Sequence, residues 1–352
     1  MEGIALERQT TEALAPDLLQ LDLTTQDQEN KCNQNLLEDG IRSVLPSPQN
    51  PLHSIAHFHF RRFGKLLRGR TALKVSTTVG LKRSAALNWA IAVELMHNAS
   101  LVHDDICDQD TDRHHHPTIF SAFGTPSAVC FGDWLVARSF ELAIKSVSSD
   151  KGVSAIDRLA TAMRFLSEGQ SSEFNQKPVL NWSAYDEVVG KKTTPLLLAP
   201  IEGPLLLSGR KESLPSIRRV VCAMGRAYQM SNDILDAVGG DGNKMTFKDL
   251  ERRAPNAVLV SFRNLLINGH QTAFDEWMSA HGQDDLSYWK KEVIKSSALE
   301  VCTDRLKDQI NICRRECEGL PAELKASLNP LLDFLNKHNS PNWHSVMHTD
   351  TG

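Results

Sequence analysis

The segment from residue 83 to residue 110 places the strongest constraint on the fold. Its apolar residues recur with helical periodicity and cover nearly the whole circumference of the predicted helix. A helix that is apolar nearly all round is buried, so other elements must enclose it. Side chains three, four and seven residues apart share a face, and four polar residues fall on one such stripe. We expect this stripe to face a cavity inside the fold; its members are Glu94, His97, Asp104 and Asp108.

The rest of the chain also has helical periodicity and almost no strand-like alternation. Many helices with short connections predict an all-α fold, a single large helical bundle around a central cavity over residues 31–338. Residues 1–30 are predicted to form a flexible or loosely helical N-terminal tail, and residues 339–352 a C-terminal tail. The other helical segments are predicted at 54–64, 71–80, 126–148, 153–169, 183–207, 214–238, 254–268 and 288–316.

Charge and cysteine content argue against several classes of protein. The 352 residues carry a formal net charge of −4 and no long basic run, which argues against binding to the phosphate backbone of nucleic acids. The seven cysteines include no CxxC pair, which favours reduced thiols in a cytosol-like compartment. The N-terminus lacks the features of a signal peptide, and the most apolar stretch, TPLLLAPIEGPLLL, is too short to span a bilayer. We therefore expect a soluble cytoplasmic protein without a transmembrane segment.

The first acidic motif lies at the end of the buried helix predicted over residues 83–110. Asp104, Asp105 and Asp108 bring three carboxylates close together, and these repel one another unless a cation lies among them or their pKa values rise. Oxygen ligands of this kind suit Mg²⁺, which is typically held by one or two carboxylates together with phosphate oxygens of a substrate. The alternative is an exposed helix end whose aspartates are solvated.

A second acidic motif lies in the stretch YQMSNDILDAVGG. Gln229, Asp233 and Asp236 share one helical face, and Asn232 is four residues before Asp236. The surrounding residues are apolar, so this helix is also predicted to be buried. Two such clusters that face each other could hold several Mg²⁺ ions around a diphosphate, and their joint presence argues against two solvated helix ends.

Basic residues that could bind a diphosphate stand near both acidic motifs and before the central helix. Gly64 and Gly69 flank the first group and allow a close approach of the backbone. Taken alone, each basic residue is ordinarily a surface charge, and it is the position just beyond each motif that favours diphosphate binding. The candidates are Lys65, Arg68 and Arg70 in FGKLLRGRT, Arg113, Lys191 and Lys192 in GKKTTP, and Lys244, Lys248, Arg252 and Arg253.

From about residue 60 to residue 260, the chain resembles the trans-isoprenyl diphosphate synthase (polyprenyl synthetase) family. ELMHNASLVHDDICD matches the family's first aspartate-rich motif, DDxxD, and YQMSNDILD resembles the second. FGKLLR resembles the GGKxxR diphosphate site, and YDEVVGKKTTPLL resembles the Lys-Thr segment. A single DDxxD would be weak, but the ordered set is specific for the fold and for diphosphate–Mg²⁺ chemistry.

The resemblance implies a Mg²⁺-dependent prenyltransferase with a bundle of the isoprenoid synthase type. Three Mg²⁺ ions would grip the diphosphate of an allylic substrate and stabilise the leaving group as the C–O bond breaks. The double bond of isopentenyl diphosphate would then attack the allylic cation, and loss of a proton to the departing diphosphate would give a longer trans-prenyl diphosphate.

The same resemblance implies roles for individual residues. The implied metal ligands are Asp104, Asp105, Asp108, Asn232, Asp233 and Asp236. The implied catalytic residues are Asp104, Asp105, Asp108, Lys192 and Asp233. The implied substrate-binding residues are Lys65, Arg68 and His97 for isopentenyl diphosphate, Arg113 for the allylic diphosphate, and in addition His114, Lys192, Thr193, Gln229 and Lys244.

Three positions depart from the family pattern. His114 stands where an arginine normally helps to bind isopentenyl diphosphate, and an imidazole with a pKa of about 6.5 is largely neutral at pH 7. Asn232 replaces the first Asp of the second motif, so one metal loses a charged ligand. The family's Gly-Lys-x-Thr segment appears here as ERRAPN, in which Arg252 or Arg253 could substitute for the lysine.

These departures leave two alternatives to chain elongation. The first is a terpene cyclase, or a transfer to another acceptor, that uses the allylic diphosphate alone; the second is a noncatalytic partner subunit. If the chain elongates prenyl diphosphates, the small Ala99 and Ser100 one turn before Asp104 favour a product of C20 or longer. Trp89 or Phe131 could still close that pocket. Relatives are commonly homodimers, so a homodimer is expected.

Overall fold

Helices form nearly all of the structure, a computed structural model that describes residues 15–113, 115–175, 180–239, 247–280 and 285–338. Within these ranges the only strands are Asp112–Arg113 (β1) and His116–Pro117 (β2), which pair antiparallel. The predicted all-α fold is confirmed. The helices are α1 Ala15–Val44, α2 His53–His59, α3 Leu67–Thr78, α4 Arg83–Cys107, α5 Ile119–Ser146, α6 Val153–Asn175, α7 Trp182–Lys192, α8 Thr194–Ser208, α9 Leu214–Val238, α10 Lys248–Arg252, α11 Ala257–Leu265, α12 Asn268–Ser279, α13 Leu286–Lys295, α14 Ala298–Glu318, α15 Ala322–Ser327 and α16 Asn329–His338.

Helix α4 lies at the centre of the bundle, as its apolar circumference predicted. It packs against α3, α5 and α8 and also contacts α1 and α6. Residues 89–96 are all buried, and each large apolar side chain enclosed in this way contributes about 1.5–3 kcal/mol. The helix ends at Cys107, with Asp108 as its C-cap, so the acidic motif lies at the C-terminal end of the most enclosed helix.

Two long predicted helices are each divided in two. The segment 183–207 forms α7 and α8, which meet at Thr193. Pro195 stands in the first turn of α8, a position where the missing N–H of proline is tolerated. The segment 288–316 forms α13 and α14, with Ser296 and Ser297 between them. Apolar residues continue on both sides of each break, so their periodicity does not reveal it.

The ends of the chain and the region after α9 also differ from the sequence prediction. Helix α1 begins inside the segment predicted to be an N-terminal tail, whereas residues 1–14 and 339–352 lie outside the described residues. Helix α11 begins only at Ala257, because the Asn256 side chain accepts a hydrogen bond from Leu259 N–H and caps the helix there. Helices α10, α12, α15 and α16 have no predicted counterpart.

Helix α5 has one buried face and one accessible apolar face. By length and composition alone it could cross a membrane, and it is the one helix among the described residues for which this holds. Its inner face packs along α4. On the opposite side Val129 is 40% exposed and Ile144 58% exposed. We call this side the α5 outer face; it consists of Val129, Val136, Phe140 and Ile144.

Helix α8 is enclosed along its length and carries one charged residue. Glu202 is 2% exposed, and it accepts hydrogen bonds from Arg158 of α6 at 3.3 Å and from Arg218 of α9. A buried carboxylate is costly unless it is paired and hydrogen-bonded. The two arginines therefore hold α6 and α9 against α8.

Candidate active site

The first acidic motif is held at the end of α4 by the hairpin that follows it. Arg113 of β1 donates from Nε to Asp105 Oδ1 at 2.8 Å, and its Nη2 lies 2.7 Å from the same oxygen. The same Nη2 lies 3.6 Å from Asp104 Oδ2. The pairing of Arg113 with His116 across the hairpin folds the chain back so that the guanidinium reaches the carboxylates. His114, between the two strands, lies outside the described residues.

Burial and mutual repulsion raise the pKa values in this motif. Asp105 is 5% exposed, and burial raises its pKa despite the pairing with Arg113. Burial, followed by repulsion from Asp104, raises the pKa of Asp108 to about 6. The positive charges of Lys192 and Arg252 partly offset that rise. A cation bound among these carboxylates would relieve the repulsion that raises the pKa of Asp108.

The second acidic motif contains one carboxylate that accepts hydrogen bonds from the protein on both oxygens. Asp233 is 3% exposed, and it accepts hydrogen bonds from Tyr185 Oη at 2.8 Å, Ala257 N–H at 2.8 Å and Gln229 Nε2 at 2.9 Å. Burial raises its pKa to about 6. Gln229 in turn accepts from Thr193 Oγ1 at 2.8 Å. Asp233 therefore ties α7, α9 and the start of α11 together.

Asp236 of the same motif contacts the short helix α10. Asp236 accepts from the backbone N–H groups of Lys248 and Asp249, each at 3.1 Å. Asn232 is half-buried on α9, one turn before Asp236. Asp249, which sequence reasoning missed, receives a hydrogen bond from Asn256 Nδ2 at 3.1 Å. Burial, followed by repulsion from Asp236 and Asp233, raises the pKa of Asp249 to about 7. Asp249 therefore adds a carboxylate to the second motif.

The raised pKa of Asp249 has a measurable consequence for stability. Its folded-state pKa of about 7 lies above the ordinary value of 3.8, so the folded chain binds more protons than the unfolded chain between these values. As pH rises from about 4 to about 7, this carboxyl group therefore lowers the free energy of unfolding. An Asn side chain at the same position stays neutral and has no such effect. Without divalent ions, we expect the free energy of unfolding of Asp249→Asn, measured relative to that of the parent chain, to increase by more than about 1 kcal/mol between about pH 4.5 and pH 7.5. Urea unfolding with a chelator measures this gain, and a difference that is independent of pH would contradict it.

Helix α10 also reaches the first acidic motif. Arg252, its last residue, donates to Asp110 Oδ1 at 2.5 Å and lies 3.8 Å from Asp108 Oδ2. Arg253 points elsewhere: its Nη1 donates to the carbonyl oxygens of Trp277 and Ala280 at the end of α12. Of the two arginines that could replace the family's lysine, Arg252 is the one beside the acidic motif.

Glu94 does not belong to the charged cavity, although it lies on the same helical stripe. Its Oε1 accepts the backbone N–H of Gly69 at 2.7 Å in the first turn of α3, where N–H groups lack helical partners. The left-handed Leu66 leads into this turn with a φ of 45°. Next to Gly69, Arg68 donates from Nε to the carbonyl of Leu196 at 3.2 Å. The expectation that Glu94 faces the cavity is corrected: it anchors α3 and so positions Arg68.

Basic side chains surround His97, which lies on α4 seven residues before Asp104. Burial lowers the pKa of His97 well below its usual value, and the nearby charges of Arg68 and Arg113 lower it further. His59 adds to this effect, and its Nε2 is hydrogen-bonded to Asn98 Oδ1 at 2.8 Å. His97 is therefore neutral at pH 7 and can donate a hydrogen bond but supplies no charge.

The described part of the chain brings most of the predicted site residues together. Lys65 is exposed just before α3, and Lys192 lies within electrostatic range of Asp108. Lys244 lies outside the described residues, as does His114. No three His, Cys, Asp or Glu side chains in the described ranges form a metal site by themselves. The separate carboxylate clusters still fit Mg²⁺, because this ion usually shares its coordination between a few carboxylates and substrate phosphates.

Comparisons with known proteins agree with this geometry. The chain is 27% identical over 297 residues to a geranylgeranyl pyrophosphate synthase of Geoglobus acetivorans, with 80% of this chain and 89% of that protein covered. Its fold is similar to that of geranylgeranyl pyrophosphate synthetase from Pyrococcus horikoshii Ot3, with a TM-score of 0.76 and 21% identity over 90% of this chain and 99% of the other. A polyprenyl synthase from Caulobacter crescentus CB15, complexed with calcium and isoprenyl diphosphate, aligns with a TM-score of 0.73 and 24% identity over 87% of this chain and 94% of the other. The Polyprenyl synthetase family model matches residues 49–292, well over half of the sequence. The chain therefore belongs to the polyprenyl synthetase family.

Proposed function

We propose that this chain condenses an allylic prenyl diphosphate with isopentenyl diphosphate to form a longer trans-prenyl diphosphate, with Mg²⁺ as cofactor. The observation that carries the proposal is the position of α10 between the two acidic motifs. Its N-terminal N–H groups contact Asp236, and Arg252 at its other end contacts Asp108 and Asp110. Two carboxylate clusters joined by a cationic side chain suit a ligand that combines cations with a diphosphate.

The acidic side chains divide into two groups in this proposal. Asp104, Asp108, Asn232 and Asp236 are the metal ligands, and bound Mg²⁺ supplies Lewis-acid stabilisation of the diphosphate leaving group. Asp105 is held by Arg113 and completes the first cluster. Asp233 accepts three hydrogen bonds from the protein, so we propose a positioning role for it.

The basic side chains divide by substrate. Arg113, Lys192 and Arg252 lie beside the first acidic motif and would bind the allylic diphosphate. Arg68 and His97 lie further back, and with Lys65 they would bind isopentenyl diphosphate. Since His97 is neutral, the charge at this second site comes from Arg68 and Lys65. Thr193 and Gln229 hold the α7–α8 junction against α9.

The amide of Asn232 favours one alternative, an enzyme that ionises a prenyl diphosphate and cyclises it or passes it to another acceptor. An amide ligates through oxygen but brings no charge, so one ion is held less tightly. A noncatalytic partner subunit is disfavoured because the first acidic motif is complete.

A product assay separates these functions. Purified protein is incubated with Mg²⁺ and geranyl, farnesyl or geranylgeranyl diphosphate, each with and without labelled isopentenyl diphosphate. We expect the label to enter a longer prenyl diphosphate. A hydrocarbon or alcohol formed without isopentenyl diphosphate would instead establish cyclisation or hydrolysis. If no product forms in any of these reactions, the result would favour a missing acceptor or a noncatalytic subunit.

The same assay reports product length. Ala99 is fully buried and Ser100 half-buried, one turn before Asp104, so a prenyl chain that extends past Asp104 along α4 would meet small side chains there. Phe131 and Trp89 are both enclosed in the core. We propose a product of C20 or longer, and release of a C15 product alone would contradict this.

We also propose that the chain is a soluble cytoplasmic homodimer that pairs through the α5 outer face. Val129 and Ile144 are the exposed members of this face, and Val136 and Phe140 between them are partly buried against the core. Single exposed apolar residues are ordinary, but several along one side of a long helix are typical of a protein interface. A double substitution, Val129→Glu with Ile144→Glu, is expected to convert the dimer to a monomer in light scattering after size exclusion. Ile294→Glu on α13, where the side chain is 42% exposed, is the matched control and should stay dimeric. A parent chain that is already monomeric would refute the pairing.

A further inference from the structure

We infer that Gly169 of α6 is a positioning residue for Lys192 and Thr193. A Cβ atom at position 169 would lie 2.8 Å from Lys192 Cγ and 3.1 Å from Lys191 Cβ. The backbone N of Lys192 would be 3.5 Å away. A rotamer change can move Lys192 Cγ, but Lys191 Cβ is fixed to the backbone, so the last turn of α7 would have to shift.

The glycine is required here for space and not for backbone conformation. Gly169 lies inside a regular helix and is absent from the positive-φ glycines of the described chain. Glycine in a helix interior is less stable than alanine. The close approach of α7 accounts for the presence of glycine at this position.

The α7–α8 junction that Gly169 positions contacts both acidic motifs. Lys192 acts electrostatically on Asp108 of the first motif. Thr193 Oγ1 donates to Gln229, which donates to Asp233 of the second motif. A shift of the last turn of α7 would therefore move a diphosphate-binding cation and the hydrogen-bond chain at once. The 3.1 Å contact requires a shift of a few tenths of an ångström, and since misplacement of a binding group by about 1 Å can cost a hundredfold in rate, we expect a smaller loss.

Gly169→Ala tests the inference, with Gly190→Ala as its matched control. Gly190 lies in α7 itself, and a Cβ there meets no atom within 4 Å. Both changes add a methyl group to a helix and raise helix propensity alike. We expect Gly169→Ala to lower kcat/KM for the allylic diphosphate at least tenfold and to weaken Mg²⁺-dependent binding of inorganic diphosphate, measured by calorimetry, by a similar factor. The KM for isopentenyl diphosphate should change less than twofold, and Gly190→Ala should match the parent chain throughout.

Equal diphosphate affinities for Gly169→Ala and Gly190→Ala would overturn the inference. If Gly169→Ala is insoluble, Gly169→Ala with Lys191→Gly is compared with Lys191→Gly alone, because the fixed 3.1 Å contact is absent from both. Affinities of these two variants within twofold of each other support the inference, and a tenfold weaker affinity of the double variant overturns it. The inference rests on the proposed function, but the two can fail separately. If the parent chain binds Mg²⁺ and diphosphate but does not elongate a prenyl diphosphate, only the proposed elongation is contradicted.

Discussion

Replacing Asp104 with Asn is expected to lower turnover about a thousandfold while the fold remains intact. The Asp104 side chain is 33% exposed, and its cationic neighbour Arg113 is 3.6 Å away, so little stability depends on this carboxylate. Asn preserves the shape but removes one negative charge from the proposed metal site, and the leaving group then loses stabilisation. Incorporation of labelled isopentenyl diphosphate at saturating Mg²⁺ measures the loss, and urea unfolding checks the fold.

The matched control for this substitution is Asp133→Asn. Asp133 is 72% exposed on α5, and its ion-pair partner is His103 at 3.4 Å. Its removal changes the net charge by the same amount away from the cavity, so turnover should stay within about twofold of the parent. If Asp104→Asn keeps the turnover of the parent chain, Asp104 is not a metal ligand.

Replacing Asp233 with Ala is expected to lower the free energy of unfolding by about 3 kcal/mol. The change leaves three donors without their buried acceptor: Tyr185 Oη, Gln229 Nε2 and the N–H of Ala257. The donor on Ala257 begins α11, so the packing of that helix against α9 is also weakened. Urea unfolding monitored by circular dichroism measures the loss.

Asp236→Ala is the informative comparison for Asp233→Ala. Asp236 is only half-buried, and its two donors are backbone N–H groups at the exposed start of α10. We expect a stability loss of about 1 kcal/mol together with a large fall in turnover. Equal stability losses in the two variants would contradict the division into a positioning carboxylate and a ligand carboxylate.

Periodicity was sufficient to identify α4 and both acidic motifs, but it could not distinguish the roles of carboxylates on one face. Glu94 shares a stripe with Asp104 and Asp108, yet it accepts a backbone N–H from another helix. Asp233 shares a face with Asp236, yet its oxygens are used within the fold. Whether a carboxylate meets a ligand or a backbone donor depends on which helix end packs against it, and this information is not local in sequence.

The region after α9 was the least predictable part of the site. Phe247 and Arg253, at φ 51° and 57°, adopt left-handed conformations on either side of α10, although neither is glycine. These two bends determine that Arg252 reaches the first motif and that Asp249 joins the second. A five-residue helix offers too few turns for a periodic pattern, so neither residue could be placed from the sequence.

The pairing of Arg113 and Arg252 with the first acidic motif has a thermodynamic consequence. Ions bound to Asp104 and Asp108 would compete with the guanidinium groups, which lie 3.6 Å and 3.8 Å from these carboxylates, so part of the ion-binding free energy is offset. A diphosphate gives the same arginines new acceptors and so recovers that cost. Ion affinity and diphosphate affinity are then reciprocally linked, each increasing the other by the same factor. Neither partner would then bind tightly without the other.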